Sequence, residues 1–189
     1  MAVWRMVPAM MNTGFPAVPA PEFADPLPGY SYVGEPCIAA SYRIPDELKR
    51  RTNGAVRYAG DTGKIPGVES QTDLVRVAAH SYVTQLEKRF NNGQPFPDPG
   101  ANNHRGRGAD HPGQWVKVGV RLPLSLHRRI MGAARFVDDT GSIPGVTSAN
   151  RLITAALDAK LTELERDHNH SKPFHDPRRH LPKGRLPSR

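Results

Sequence analysis

The chain has almost no cysteine: Cys37 is the only one in 189 residues. That excludes an internal disulfide framework and fits a reducing compartment. Long hydrophobic runs are also missing. None approaches the ~20 apolar residues that a helix needs to cross a bilayer, so no membrane span is expected. Arg5, near the N-terminus, is not followed by the continuous apolar stretch of a secretory signal, which points to a cytoplasmic protein. Catalytic equipment is absent as well. Gly63-Lys64-Ile65-Pro66-Gly67 lacks the Gly-Lys-Ser/Thr of a phosphate-binding loop. Asp61, Asp73 and Glu87 show no pairing with a histidine or nucleophile, so neither an enzyme nor a cofactor is expected. His168, His170, His175 and His180 have metal-like spacing, but they lack a cysteine partner and straddle a helix end and a tail. No metal site is expected there.

Much of the chain is not core material. Residues 1–36 carry Pro8, Pro16, Pro19, Pro21, Pro26 and Pro28 with little charge, too much proline for a stable helix or strand. They read as an arm. Residues 100–115, rich in Gly, Asn, His and Arg, read as a linker, and residues 178–189 as a basic tail. The formal net charge is +8 at pH 7. Such a balance is the usual footprint of a polyanion partner. Much of the excess sits in the tail, at Arg178, Arg179, Lys183, Arg185 and Arg189, which suits a non-specific nucleic-acid arm. Within the rest, the positions of the charges have to carry the argument.

What remains is the same segment twice. Ile38–Pro99 and Val116–Pro177 align without a gap. Arg43-Ile44-Pro45, Leu48, Arg50-Arg51 and Gly54-Ala55 return as Arg121-Leu122-Pro123, Leu126, Arg128-Arg129 and Gly132-Ala133. Asp61-Thr62-Gly63 with Ile65-Pro66-Gly67-Val68 and Ser70 returns as Asp139-Thr140-Gly141 with Ile143-Pro144-Gly145-Val146 and Ser148. A unit of about 60 residues present in two copies makes the fold a question of one unit and its packing on the other. The chain therefore divides into an arm (1–36), repeat 1 (37–99), a linker (100–115), repeat 2 (116–177) and a tail (178–189).

Each unit opens with period-two alternation. Val116, Val118, Val120 and Leu122 share one face, with Lys117, Gly119 and Arg121 on the other. In repeat 1, Ile38, Ala40, Tyr42 and Ile44 take the inner face, with Ala39, Ser41 and Arg43 outside. This is the pattern of a half-buried strand. Pro45 and Pro123 end the strands and start helices. The first helix carries Leu48, Thr52, Ala55, Val56 and Ala59, or Leu126, Ile130, Ala133, Ala134 and Val137, at helical spacing. Arg50, Arg51, Arg128 and Arg129 lie off or at the edge of that stripe, suited equally to solvent or to phosphates. Ser70 and Ser148 are N-caps for a second helix, with Asp73 completing a capping-box-like pattern. That helix ends near Asn91-Asn92-Gly93 and Asn169-His170-Ser171, before Pro95 and Pro173.

A lone strand has two open edges, and two short helices cannot bury its apolar face. A second copy solves both problems: the strands pair antiparallel and four helices close over the inner face. The expected fold is mainly α with a short two-stranded antiparallel ribbon, the halves meeting within the chain or exchanged in a swapped homodimer. Roughly 18 residues of linker span roughly 23 Å, enough to join the halves of one chain.

Strand–helix–helix with Arg43 and Arg121 on the outer strand face, and a serine-capped second helix, resembles the ribbon-helix-helix DNA-binding family. The helix exit Leu86-Glu87-Lys88-Arg89-Phe90-Asn91-Asn92-Gly93-Gln94-Pro95-Phe96-Pro97 is similar to the C-terminal domain of small ParB-type centromere-binding proteins of actinobacterial plasmids, and Leu164–Phe174 echoes it. The resemblance implies a tandem ribbon-helix-helix protein, an intrachain pseudo-dimer that binds double-stranded DNA in the major groove. Its base-reading positions fall on Ser41, Arg43, Lys117 and Arg121, since Ala39 and Gly119 bring no reading side chain. Its phosphate clamp falls on Ser70 and Gln71 and on Ser148 and Ala149, where helix N-termini favour anions. The implied role is centromere binding in plasmid or phage partition, on the nucleoid or plasmid, with a ParA-type ATPase as a partner of the arm. A transcriptional repressor would use the same contacts, and a protein-assembly module without DNA is the alternative of another class.

Overall fold

The computed structural model describes residues 35–100 and 114–175. The expected tail lies outside the described residues, as do most of the arm and linker. The described residues are mainly helical, with four helices and a two-stranded antiparallel sheet. In order these are β1 (Cys37–Pro45), α1 (Asp46–Thr62), α2 (Gln71–Phe90), β2 (Trp115–Pro123), α3 (Leu124–Thr140) and α4 (Ala149–His168). Among the described residues no helix is long and apolar enough to cross a membrane.

β1 and β2 pair along their whole length. Ser41 faces Gly119, its own counterpart in the other repeat, so the sheet is centred on that pair. The strand parity read from the sequence holds: Tyr42, Ile44, Val118, Val120 and Leu122 are buried, while Ser41, Arg43, Lys117, Gly119 and Arg121 are exposed. Ile38, expected inside, is 36% exposed, although its cross-strand partner Leu122 is buried.

Both prolines mark the step from strand to helix, as expected. Pro45 and Pro123 close the strands and serve as N-caps with extended ψ of 142° and 140°. α1 and α3 end at Gly63 and Gly141, whose φ values of 66° and 60° lie in the left-handed region that glycine adopts without a Cβ penalty. The second helices start where their serines predict. Ser70 Oγ accepts from the Asp73 amide at 3.2 Å, and Ser148 Oγ accepts from the Arg151 amide at 3.3 Å.

One core serves both repeats, drawing Ile44, Leu48 and Leu74 from the first and Leu122, Ile130 and Leu161 from the second. The join between the repeats is crossed. After α2 the chain runs over α3, where Phe96 stacks on Phe136 at 4.6 Å between centroids. After α4 it runs over α1, where Phe174 meets Tyr58 at 5.2 Å. Gly132 and Gly54 make these passages possible. A Cβ on Gly132 would stand 2.7 Å from the Pro97 carbonyl oxygen, and one on Gly54 2.9 Å from the Phe174 backbone.

Buried ion pairs follow the same crossing. Arg51 on α1 donates to Glu165 on α4 through Nε at 2.9 Å and Nη2 at 2.8 Å, and reaches Asp158 at 2.6 Å. Arg129 on α3 donates to Glu87 on α2 at 2.9 and 2.5 Å, and to Thr84 Oγ1 at 2.8 Å. Neither the solvated nor the phosphate-binding reading of these two arginines stands. They are fork-to-fork joints between repeats, a geometry that suits guanidinium and carboxylate. The neighbouring Arg50 and Arg128 are exposed, beside Asp46 at 2.7 Å and Asp98 at 3.3 Å.

Candidate nucleic-acid interface

The outer face of the sheet brings together all four residues expected to read bases. Arg43 and Lys117 are direct cross-strand partners, Arg121 faces Ala39, and Ser41 faces Gly119. Nothing lies within 4 Å of a Cβ added at Gly119, so the centre of the face is open. Like charges directly opposite one another weaken a sheet. The Arg43–Lys117 pair is therefore a cost to folding, and an anion laid across it would relieve that cost.

The four residues expected at the phosphate clamp flank the sheet, but their surroundings differ. At the start of α2, Ser70 donates to the Asp73 carboxylate at 2.7 Å while capping that residue's amide. Arg76 holds the other Asp73 oxygen at 2.6 Å, and Gln71 accepts from Lys49. A carboxylate thus already occupies the positive end of α2. The start of α4 has no acid in its first turn. Ser148 caps it, Ala149 packs beside the core, and Arg151 stands at the position equivalent to Asp73.

Three residues at this end were missed by the sequence reading. The Asn150 Oδ1 accepts from the Arg43 backbone amide at 3.2 Å, which ties the α4 start to the outer strand. The Arg151 guanidinium lies over the Trp115 ring, 5.0 Å from its centroid, a cation–π distance. Trp115, assigned to the linker, is instead the first residue of β2 and pairs with Pro45. The signal that could have found this end was the replacement of Asp73 by Arg151 at equivalent positions of two otherwise similar helix starts.

The remaining candidates fall elsewhere. Among the described residues no three of His, Cys, Asp and Glu gather as a metal site would require. His168 lies beside Tyr58, whose hydroxyl donates to the His168 carbonyl at 3.1 Å. His180 is outside the described residues. No family model matches the chain, and neither a curated protein nor a solved structure matches it.

Proposed function

We propose that the chain is a tandem ribbon-helix-helix protein, its two repeats forming one intrachain pseudo-dimer that binds double-stranded DNA without catalysis. The observation that carries this reading is the outer sheet face, where Arg43 and Lys117 confront each other and Arg121 completes a cationic strip. A two-stranded ribbon fits the major groove, where arginine can donate to both O6 and N7 of guanine. Because Ala39, Ser41 and Arg43 face a different set in repeat 2, the site read is asymmetric rather than palindromic. The setting implied by the helix exits is centromere binding in partition of a plasmid or phage.

The test is selection from a random duplex pool with the full chain, followed by affinity measured against salt. A defined motif should be enriched, and its affinity should fall steeply between about 50 and 200 mM salt as phosphate counterions are released. No enrichment, together with weak binding that salt does not change, refutes the reading.

A further inference from the structure

The two ends of the outer face are chemically unequal, although the fold makes them equivalent. Toward the C-terminal end of β1 lie Arg43, Lys117, Trp115 and Arg151, and Asn150 anchors the α4 start to the strand. Among the described residues, the first turn of α1 brings Asp46 and Glu47 toward that end, and Asp46 is held by Arg50 at 2.7 Å. Toward the N-terminal end of β1, Arg121 is the one cation on the strands, opposite Ala39. The helix serving that end, α2, packs against β2 and opens with Glu69, Ser70 and Asp73, where the second repeat has Thr147, Ser148 and Arg151. Arg76 is there too, paired with Asp73, and Lys49 donates to the neutral side chain of Gln71. Glu35 adds another carboxylate, accepting from the Ser125 amide at the start of α3 at 2.6 Å.

Resting on the DNA-binding reading, we propose that the protein grips its duplex with one end and lies on it in a single orientation. The Arg43–Lys117–Arg151 end holds the strong half-site, and the Arg121 end makes the weaker contact. Phosphates crossing the strong end meet cations on the ribbon and on the adjoining helix. Those crossing the weak end meet Asp73 and Arg76 as a closed ion pair, which offers them little net attraction. Trp115 presents the guanidinium of Arg151 from a rigid aromatic platform, which limits the side-chain freedom lost on binding.

The only cysteine makes orientation measurable. Cys37 is exposed, pairs with Pro123 and marks the weak end. An iron chelate attached to Cys37 would cut nearby DNA with hydroxyl radicals on a duplex selected by the full chain. Cuts should fall on one flank of the footprint. Arg43→Ala, Lys117→Ala and Arg151→Ala should each weaken binding at least tenfold, with protection lost on the uncut flank. Arg121→Ala should weaken it only a few-fold, on the cut flank. All of these side chains lie outside the core, so the variants should fold, which circular dichroism would verify. Equal cutting on both flanks, or an Arg121→Ala loss as large as the others, overturns the single grip while leaving DNA binding intact. Absence of any footprint refutes DNA binding itself, and the orientation with it.

Discussion

Repeats 1 and 2 differ and agree in different parts of the molecule. The residues by which one repeat clasps the other are identical in both: Gly54 and Gly132, Arg51 and Arg129, Glu87 and Glu165, Phe96 and Phe174. Each of these reaches across to the partner repeat, so a change in one copy is felt in the other. Several of the differences bear on the outer sheet face and on the helices beside it. Ala39 stands against Lys117, Asp73 against Arg151, His80 against Asp158 and Tyr82 against Lys160. Shared residues hold the two halves together, while unlike residues give the assembled face its direction. A pair of identical chains could not make that second distinction.

The comparison can be broken first at the carboxylates. Glu165 receives both Arg51 and the Phe174 amide, the latter at 3.1 Å, while Glu87 holds Arg129. Glu87→Ala should cost about 3–5 kcal/mol, because it strips the buried Arg129 guanidinium of the carboxylate it forks to. In Glu165→Ala the Arg51 guanidinium keeps Asp158, which softens the loss, while the Phe174 amide loses its acceptor, which adds about 1 kcal/mol. Urea unfolding of both variants measures the balance, and a much smaller loss for Glu165→Ala would show that Asp158 takes over the guanidinium.

Next comes the exchange of Asp158 for His80. Arg51 has Asp158 beside it, whereas Arg129 has a buried histidine whose pKa is lowered to about 4, by burial first and then by the Arg129 charge. The folded value lies below the unfolded one, so protonation favours unfolding. Stability is complete above about pH 6.5 and is lost as pH falls toward about 4, by about 3 kcal/mol. Denaturant unfolding across that window should show the loss, and His80→Asn should remove this contribution.

Gly132→Ala should cost about 1–3 kcal/mol through overpacking against Pro97, even though alanine favours helix. Gly119→Ala, with open space at its Cβ, should be neutral or slightly stabilising. Thermal melts of the two give the contrast. A harmless Gly132→Ala would mean that the strap lifts easily.

Two smaller effects test repeat 2 alone. Lys160 is buried and its pKa falls to about 8, burial outweighing the pull of Glu163 and Asp167. Its charge opposes folding near neutrality, so Lys160→Met should stabilise by about 1–2 kcal/mol at pH 7. In the native chain, stability should rise between about pH 8 and 10.5, and that rise should vanish in the variant. Ser171 holds φ of 60° where repeat 1 has Gly93 at 77°. Ser171→Gly should add up to about 1 kcal/mol, read from the same urea curves.

The sequence carried the fold where the cause was local. Alternation placed Arg43, Lys117 and Arg121 outside and Ile44 and Leu122 inside, prolines marked the strand ends, and serines marked the starts of α2 and α4. It failed where the cause lay in the other repeat. A helix-interior glycine such as Gly54 looks like a loss of helix propensity until Phe174 is seen lying on it. Arg51 and Arg129 sit at the edge of an apolar stripe, and only packing shows that the edge faces a carboxylate. The outer-face candidates were legible because parity is local. Their grouping into a strong and a weak end was not, because it depends on the register between β1 and β2.

The crossed passages also bear on how the protein is made. Phe96 needs α3 beneath it, and α1 needs Phe174 above it, so repeat 1 is unfinished when it leaves the ribosome. Its strand edge and apolar helix faces wait until the whole of repeat 2 has been synthesised. At about 5–20 residues per second, the interval lasts seconds, long compared with helix formation. Neighbouring nascent chains on one message would meet during that interval, each offering the half the other lacks. The linker keeps the correct partner close and tilts that competition toward closure within one chain.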